Sequence, residues 1–287
     1  MYNFIKPKQY IKPKKPNKTS GVVVLNSDDG ELRNYIYWLP WFWAYKMQNN
    51  QFIDNKPLRG FSPNINTGFV GGTHPSSGRP MMNWEQILDM QSKGSDIQSH
   101  GRYHVYLSYL KPLDNMSAGD TVISYDRANN AVKPNYKYTI EENNIIEEVK
   151  VIENLGNNRA RIEEPLKNNF TTDANIHISE ESAIEDMQGC LNDLAEKGIH
   201  AEHHVNPWYN SSPRTQEWQK QIFTSVLSVS RDEILPPQEI NLMSIRRSNK
   251  PLPTITYEEI DDYLLRTRDL DTALFVVGHG ETNRQTR

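Results

Sequence analysis

The strongest constraint on this chain is a recurring order. A short apolar, β-branched run closes on glycine or an acidic turn, and a stretch with helical spacing follows. GVVVLNSDDG (21–30) is the first such run; unbroken apolar character marks a buried strand, and its end marks an acidic turn. The aromatic stretch ELRNYIYWLPWFWAYKMQNN (31–50) reads as helical, with Pro40 starting or kinking it. FSPNINTGFVG gives a second strand, NWEQILDMQSKG a helix stopped by Gly94, and SDIQSHGRYHVYLSYL a short strand running into a loop. Further on come the helix ISEESAIEDMQGCLNDLAEKG, with Ser179 as cap and Gly198 at its end, the strand IHAEHHV and the turn NPWYN. A helix (PRTQEWQKQIF), a strand (TSVLSVS), a loop with LPPQ, a helix (YEEIDDYLLRTRD) and a last strand, TALFVVGHG, follow. Alternation at this pace predicts a mostly parallel α/β architecture.

Two regions depart from the pattern. Residues 1–19 are rich in Lys and Pro, which reads as an extended arm or linker. From about 113 to 178 the segments TVISYD, YKYTIEENNIIEEVKVIENL and RARIEE alternate over short distances, with GNN at 156–158 as a hairpin turn. This is a β-rich insertion with its own small sheet. The remainder, 20–287, reads as one domain that the insertion interrupts.

Composition narrows the function classes. The 287 residues are 36% apolar and 10% aromatic, enough for a buried core. A net charge of −4 gives no general attraction to nucleic acid or anionic lipid. No run approaches the roughly 18 apolar residues of a membrane span. The opening MYNFIKPKQYIKPKKPNK has basic residues without an apolar core after them, so it does not read as a secretory signal. One cysteine, Cys190, excludes an intramolecular disulfide and any Cys-based zinc cluster, and it is expected to be a small core residue. Eight histidines leave imidazole and carboxylate as the ligands for any metal.

Four constellations could carry chemistry. Asp28-Asp29 closes the first strand, where α/β folds place their sites, although such a pair before glycine also serves as a plain turn. His100 and His104, four apart in SHGRYH, fall on one side of a helical turn or tight loop; the alternative is two unrelated surface histidines. His279 follows an apolar strand whose end lies on the same rim as Asp28. In HHVNPWYN (203–210), Pro207 and Trp208 could form a pocket wall, with turn N–H groups facing an oxyanion. His203 and His204 face opposite sides of their strand, so at most one looks into a site. His74, His177 and His200 have no partner pattern and receive no role.

Taken in order, these segments resemble the polysaccharide deacetylase family, of the carbohydrate esterase family 4 type. The family's strand-TFDDG stands here as NSDDG (26–30), and its H-[ST]-x-x-H as His100 to His104 with Gly101 at the Ser/Thr position. Its R-x-P-[FY] stands as Val205-Asn206-Pro207-Trp208, and its final strand and histidine as LFVVGHG. The resemblance covers about 20–112 and 179–280. It departs at Val205, where the family has an arginine that braces the catalytic aspartate; Arg246 or Arg247, in the loop after SVLSVS, is the candidate replacement. The family's tryptophan-bearing motif has no match, and the chain ends seven residues after Gly280, as expected of a clipped piece or a module of a larger polypeptide.

The resemblance implies a deformed (β/α) barrel and a hydrolase that removes N- or O-linked acetyl groups from an acetylated polysaccharide or glycan. It implies that Asp29, His100 and His104 hold one divalent cation, zinc first among those the family uses, with Asp28 as general base and His279 as general acid. The Trp208 backbone N–H would face the oxyanion, and Tyr103 and Trp208 would line the groove. Most of the aromatics between Tyr35 and Tyr45 are expected in the core, with some stacking on sugar rings. The competing reading is a binding module of the same fold, catalytically impaired, inside a larger surface or virion protein. An extracellular, cell-surface or virion location fits either.

Overall fold

A computed structural model describes residues 22–39, 62–127, 131–230, 245–247 and 273–278. Its centre is a parallel sheet built from β1 (Val22–Ser27), β2 (Ser62–Ile65), β3 (Gln98–Ser99), β9 (His203–Val205), β10 (Ser225–Ser230), β11 (Ile245–Arg247) and β12 (Ala273–Gly278). The order across it is β11-β10-β9-β3-β2-β1-β12, and each pairing is parallel. The edge strands β11 and β12 approach one another, so the sheet curls into the deformed barrel of the α/β class that the alternation and the resemblance predict. Register aligns the strand ends: Ser27 lies opposite Gly278, Ile65 opposite Ser99, and Ser99 opposite His204. The segments after β1, β3 and β9 therefore leave the sheet on one rim.

Three helices cover the described sheet: α1 (Trp84–Ser92), α2 (Glu180–Ala195) and α3 (Pro213–Gln219). Each begins at a side-chain cap of the kind that satisfies the unpaired first-turn N–H groups. Asn83 and Gln86 form a reciprocal capping box on α1, Ser179 accepts from Ser182 N, and Ser212 accepts from Thr215 N. Between α1, α2 and the sheet lies a core of Ile65, Met82, Ile87, Met90, Cys190 and Leu194. Cys190 is fully buried there and is a free thiol whose pKa burial pushes up to about 11, as suits a small core residue.

The 113–178 region carries β4 (Val122–Ser124), β5 (Lys137–Glu142), β6 (Ile145–Gly156), β7 (Arg159–Ile162) and β8 (Asn175–Ile178). They form an antiparallel sheet in the order β4-β7-β6-β5-β8. Two hairpins close on asparagine pairs, Asn143–Asn144 and Asn157–Asn158, all four with positive φ; such two-residue turns match the twist of the strands. This sheet is not a tethered module. Ile123, Tyr138, Ile140 and Phe170 share one buried cluster with Val105 and Leu107, with Met187 of α2, and with Trp218 and Val226.

Three sequence expectations change or fall outside the described residues. The aromatic stretch starts helically, with a π-turn over Asn34–Trp38, while its continuation through Pro40 lies outside. The helix expected at 257–269 and the LPPQ loop also lie outside. Arg246 stands in strand β11, not in a loop; β11 is three residues long and exists through pairing with β10, so it has no periodicity to read.

Tyr136, in the turn before β5, donates its hydroxyl to the buried carboxylate of Asp186 on α2 (3.0 Å). Tyr136→Phe removes a hydrogen bond to a charged group and should cost about 1.5–3 kcal/mol. Urea denaturation followed by tryptophan fluorescence and by far-ultraviolet circular dichroism should show one shifted transition. Two separate transitions would contradict the shared core.

Candidate functional site

The strand ends enclose a cleft of about 320 Å3, lined by Asp28, Asp29, His74, Ser76, His100, His104, Trp208 and Tyr209. The structure thus gathers Asp28, Asp29, His100, His104 and Trp208 from three segments far apart in sequence. Asp29 is central. Its Oδ1 lies 3.4 Å from His100 Nε2, 3.3 Å from His104 Nε2 and 3.9 Å from His74 Nε2.

Backbone geometry delivers these side chains. Asp29, His104, Trp208 and Tyr209 have φ of 69°, 56°, 60° and 58°. Among the described residues, the other non-glycine positions with positive φ are asparagines in turns. The left-handed region costs an ordinary residue about 1–2 kcal/mol. Every residue here that bears this cost without being asparagine or glycine therefore lines the cleft, a concentration typical of functional sites.

The turn from His100 to His104 is held from both sides. Asn66 Nδ2 donates to the carbonyls of His100 (2.5 Å) and Gly101 (3.2 Å). Asp186 Oδ2 accepts from Arg102 N (3.0 Å), and Asp186 Oδ1 from Tyr103 N (2.9 Å). Gly101 has φ +76°, and a Cβ there would stand 2.5 Å from Asp186 Oδ2. That contact explains why glycine occupies the position at which the resembled motif carries Ser or Thr.

His100 and His104 differ in their surroundings. His100 Nδ1 lies 2.8 Å from the Val205 carbonyl, so Nδ1 carries a proton and donates to it, which leaves Nε2 as the nitrogen that faces Asp29. Val205 thus orients a histidine through its backbone, whatever its side chain. Burial disfavours charge on His100, but Asp28, Asp29 and the Val205 carbonyl outweigh it and hold the pKa above the ordinary value. Burial drives His104 far below its ordinary pKa against the opposing pull of Asp29, and His100 and Lys133 add to the lowering. His104 Nδ1 is buried without a hydrogen-bond partner.

The donor set fits a divalent cation. Tetrahedral zinc with bonds of about 2.0–2.2 Å sets ligand atoms about 3.3–3.5 Å apart, and the Asp29–His104 and Asp29–His100 separations are of that size. Asp29, His74 and His104 also offer ligand atoms that lie within 4.8 Å of one another. A partly buried carboxylate amid three imidazoles thus forms a group able to bind a metal.

Asp28 is 1% exposed, and its Oδ1 accepts from Asn64 Nδ2 at 2.9 Å. Asn64 is a partner that the sequence reading missed; β2 has no acidic or histidine signal to flag it. Arg246, the expected brace, lies on β11, and its side chain falls outside the described residues, as does His279. Strand β12 ends at Gly278, opposite Ser27.

Other expected residues stand apart from the cleft wall. Pro207 is buried, and Tyr103 is 37% exposed with its ring edge-on to Phe69 at 5.9 Å. Neither His203 nor His204 lines the cleft: His203 Nδ1 pairs with Ser225 Oγ, and His204 pairs with Ser99 Oγ and stacks on Phe223. His74, which had no spacing signal, does line it. So does the influence of the insertion, through Lys133, buried 6.0 Å from the Phe69 ring and with its pKa pulled by burial to about 8.

No protein-family model and no curated protein matches the sequence. Solved structures do. The chain is similar to IcaB from Ammonifex degensii at 15% identity, covering 85% of this chain and 72% of that one with a TM-score of 0.46. It is similar to the deacetylase PplD from Streptococcus pyogenes at 14% identity, with coverage of 86% and 70% and a TM-score of 0.47. A de-N-acetylase from Aggregatibacter actinomycetemcomitans gives 14% identity, coverage of 84% and 74%, and a TM-score of 0.47. Among the described residues, no helix is long and apolar enough to cross a membrane.

Gly101→Ala should destabilise the protein by about 2–5 kcal/mol, from left-handed backbone and overpacking together. Adding Asp186→Ala should remove the overpacking share, so a double-mutant cycle in urea should give non-additive costs. Additive costs would contradict the contact.

Proposed function

We propose that this chain is a metal-dependent hydrolase that removes N- or O-linked acetyl groups from a polysaccharide. One observation carries the reading: Asp29 Oδ1 stands at ligand-edge distance from two histidine Nε2 atoms at the rim of a parallel sheet, with the buried carboxylate of Asp28 beside it. Asp29, His100 and His104 hold the cation, taken to be Zn2+. A divalent cation there supplies Lewis-acid polarisation of the acetyl carbonyl and acidification of water.

The chain's own groups divide the remaining work. Asp28, fixed by Asn64, takes the proton from the attacking water. Water oxygen bonds to the acetyl carbon, and the carbonyl oxygen gains charge facing the Trp208 turn. The C–N or C–O bond then breaks, and His279 protonates the departing amine or hydroxyl. This requires His279 at the rim where β12 ends opposite Ser27, the residue before Asp28. The products are acetate and a deacetylated sugar. Trp208 and the half-exposed Tyr103 supply aromatic surface for sugar rings, with Pro207 packed under the turn. Asn64 braces Asp28 through the hydrogen bond to Oδ1, and Arg246, on β11, is a further candidate brace. An acetylated polysaccharide substrate fits a location at a cell surface, outside the cell or on a virion.

Asp28→Asn should keep about one equivalent of divalent cation while lowering acetate release by about 10²- to 10⁴-fold. His100→Ala should lose both. Metal analysis and enzymatic acetate assay on the same preparations check this; full acetate release by Asp28→Asn would contradict the assigned base.

A further inference from the structure

His74 sits against the metal group, yet its environment is the reverse of that of His100. The ring is 5% exposed. Its Nδ1 accepts from two backbone amides, Ser76 N at 3.3 Å and Ser77 N at 3.4 Å. A neutral imidazole has one lone-pair nitrogen and one N–H. With the lone pair of Nδ1 turned to two donors, the proton resides on Nε2. That is the nitrogen facing the cleft, 3.9 Å from Asp29 Oδ1 and buried without a hydrogen-bond partner. Coordination through Nε2 would require moving the proton to Nδ1, where it would point at two N–H groups and forfeit both bonds.

The loop that presents His74 is fixed rather than adaptable. His74 N donates to the Arg79 carbonyl and Gly78 N to the His74 carbonyl, each at 2.8 Å. Arg79 binds the buried Glu31 at 2.8 Å, and Met82 N donates to the Gly30 carbonyl, tying the loop to the turn that carries Asp28 and Asp29.

We propose that His74 is not a metal ligand but a fixed Nε2–H donor that hydrogen-bonds the acetyl oxygen of the substrate as negative charge develops on it. An orphaned donor inside a cleft is satisfied only when an acceptor arrives, and preorganised donors of this kind are worth about 10²- to 10³-fold in turnover. The proposal rests on the deacetylase reading for the identity of its acceptor, but not for the tautomer.

The test uses the full chain loaded with Zn2+. Competition with a fluorescent chelator should give His74→Ala a Zn2+ affinity within about threefold of wild type, whereas His104→Ala should weaken it by at least about a hundredfold. Two-bond ¹H–¹⁵N spectra of the Zn2+-loaded protein should show His74 protonated at Nε2 and His100 at Nδ1. On an N-acetylated chitin oligomer, His74→Ala should lose about a hundredfold in kcat with little change in KM, and His74→Gln, which keeps an N–H donor, should recover part of it. Loss of Zn2+ in His74→Ala equal to that in His104→Ala, or an Nδ1-protonated His74, would overturn the proposal. So would unchanged kcat in a His74→Ala protein whose parent is active. If the wild type releases no acetate from any acetylated glycan, the deacetylase reading fails while the affinity and tautomer measurements still decide whether His74 is a ligand.

Discussion

The buried carboxylate of Asp186 ties the structure together. From the middle of α2 it accepts the amides of Arg102 and Tyr103, fixing the turn that carries both cleft histidines, and it accepts the hydroxyl of Tyr136 from the insertion. Removing a carboxylate from water costs several kcal/mol, and hydrogen bonds to a charged group return about 1.5–3 kcal/mol each. The opposing terms are close in size. Burial prevails over the three donors and Lys133, and the Asp186 pKa is raised to about 6. A raised carboxyl pKa means that this group favours the folded state most below about pH 4 and that the advantage is lost as pH rises through 6. The chain tolerates that cost at the position where three segments must meet.

The same trade recurs around the cleft. Asp29, His104, Trp208 and Tyr209 hold left-handed backbone that asparagine or glycine would hold more easily. What the strain yields is convergence: one carboxylate oxygen within 3.9 Å of three imidazole nitrogens. The histidines then separate by second partners. His100 faces a carbonyl and His74 faces two amides, so equal side chains at similar distance acquire opposite hydrogen-bonding character.

Much of this was legible in the sequence, for identifiable reasons. Buried parallel strands announce themselves by unbroken apolar runs, and helices by caps, so GVVVLNS and Ser179 could be read directly. That Asp28, Asp29, His100 and His104 meet in one cleft was legible because their placement depends on local spacing at strand ends. His74 and Asn64 were not, because the contacts that give them meaning join residues 45 and 36 positions away. Gly101 looked like a departure from a motif until Asp186 was seen to fill the space. The insertion was visible as alternation, but its partnership in the core depends on long-range packing that no local pattern encodes.

The central claim is that a cation held by Asp29, His100 and His104 makes this cleft a deacetylase. The most direct measurement is acetate release from a panel of acetylated glycans and chitin oligomers before chelation, after it, and after restoring Zn2+. The account predicts release from at least one substrate, its loss on chelation, and its return with metal. Release that persists in the fully chelated protein, or no release from any substrate by the metal-loaded protein, would contradict it.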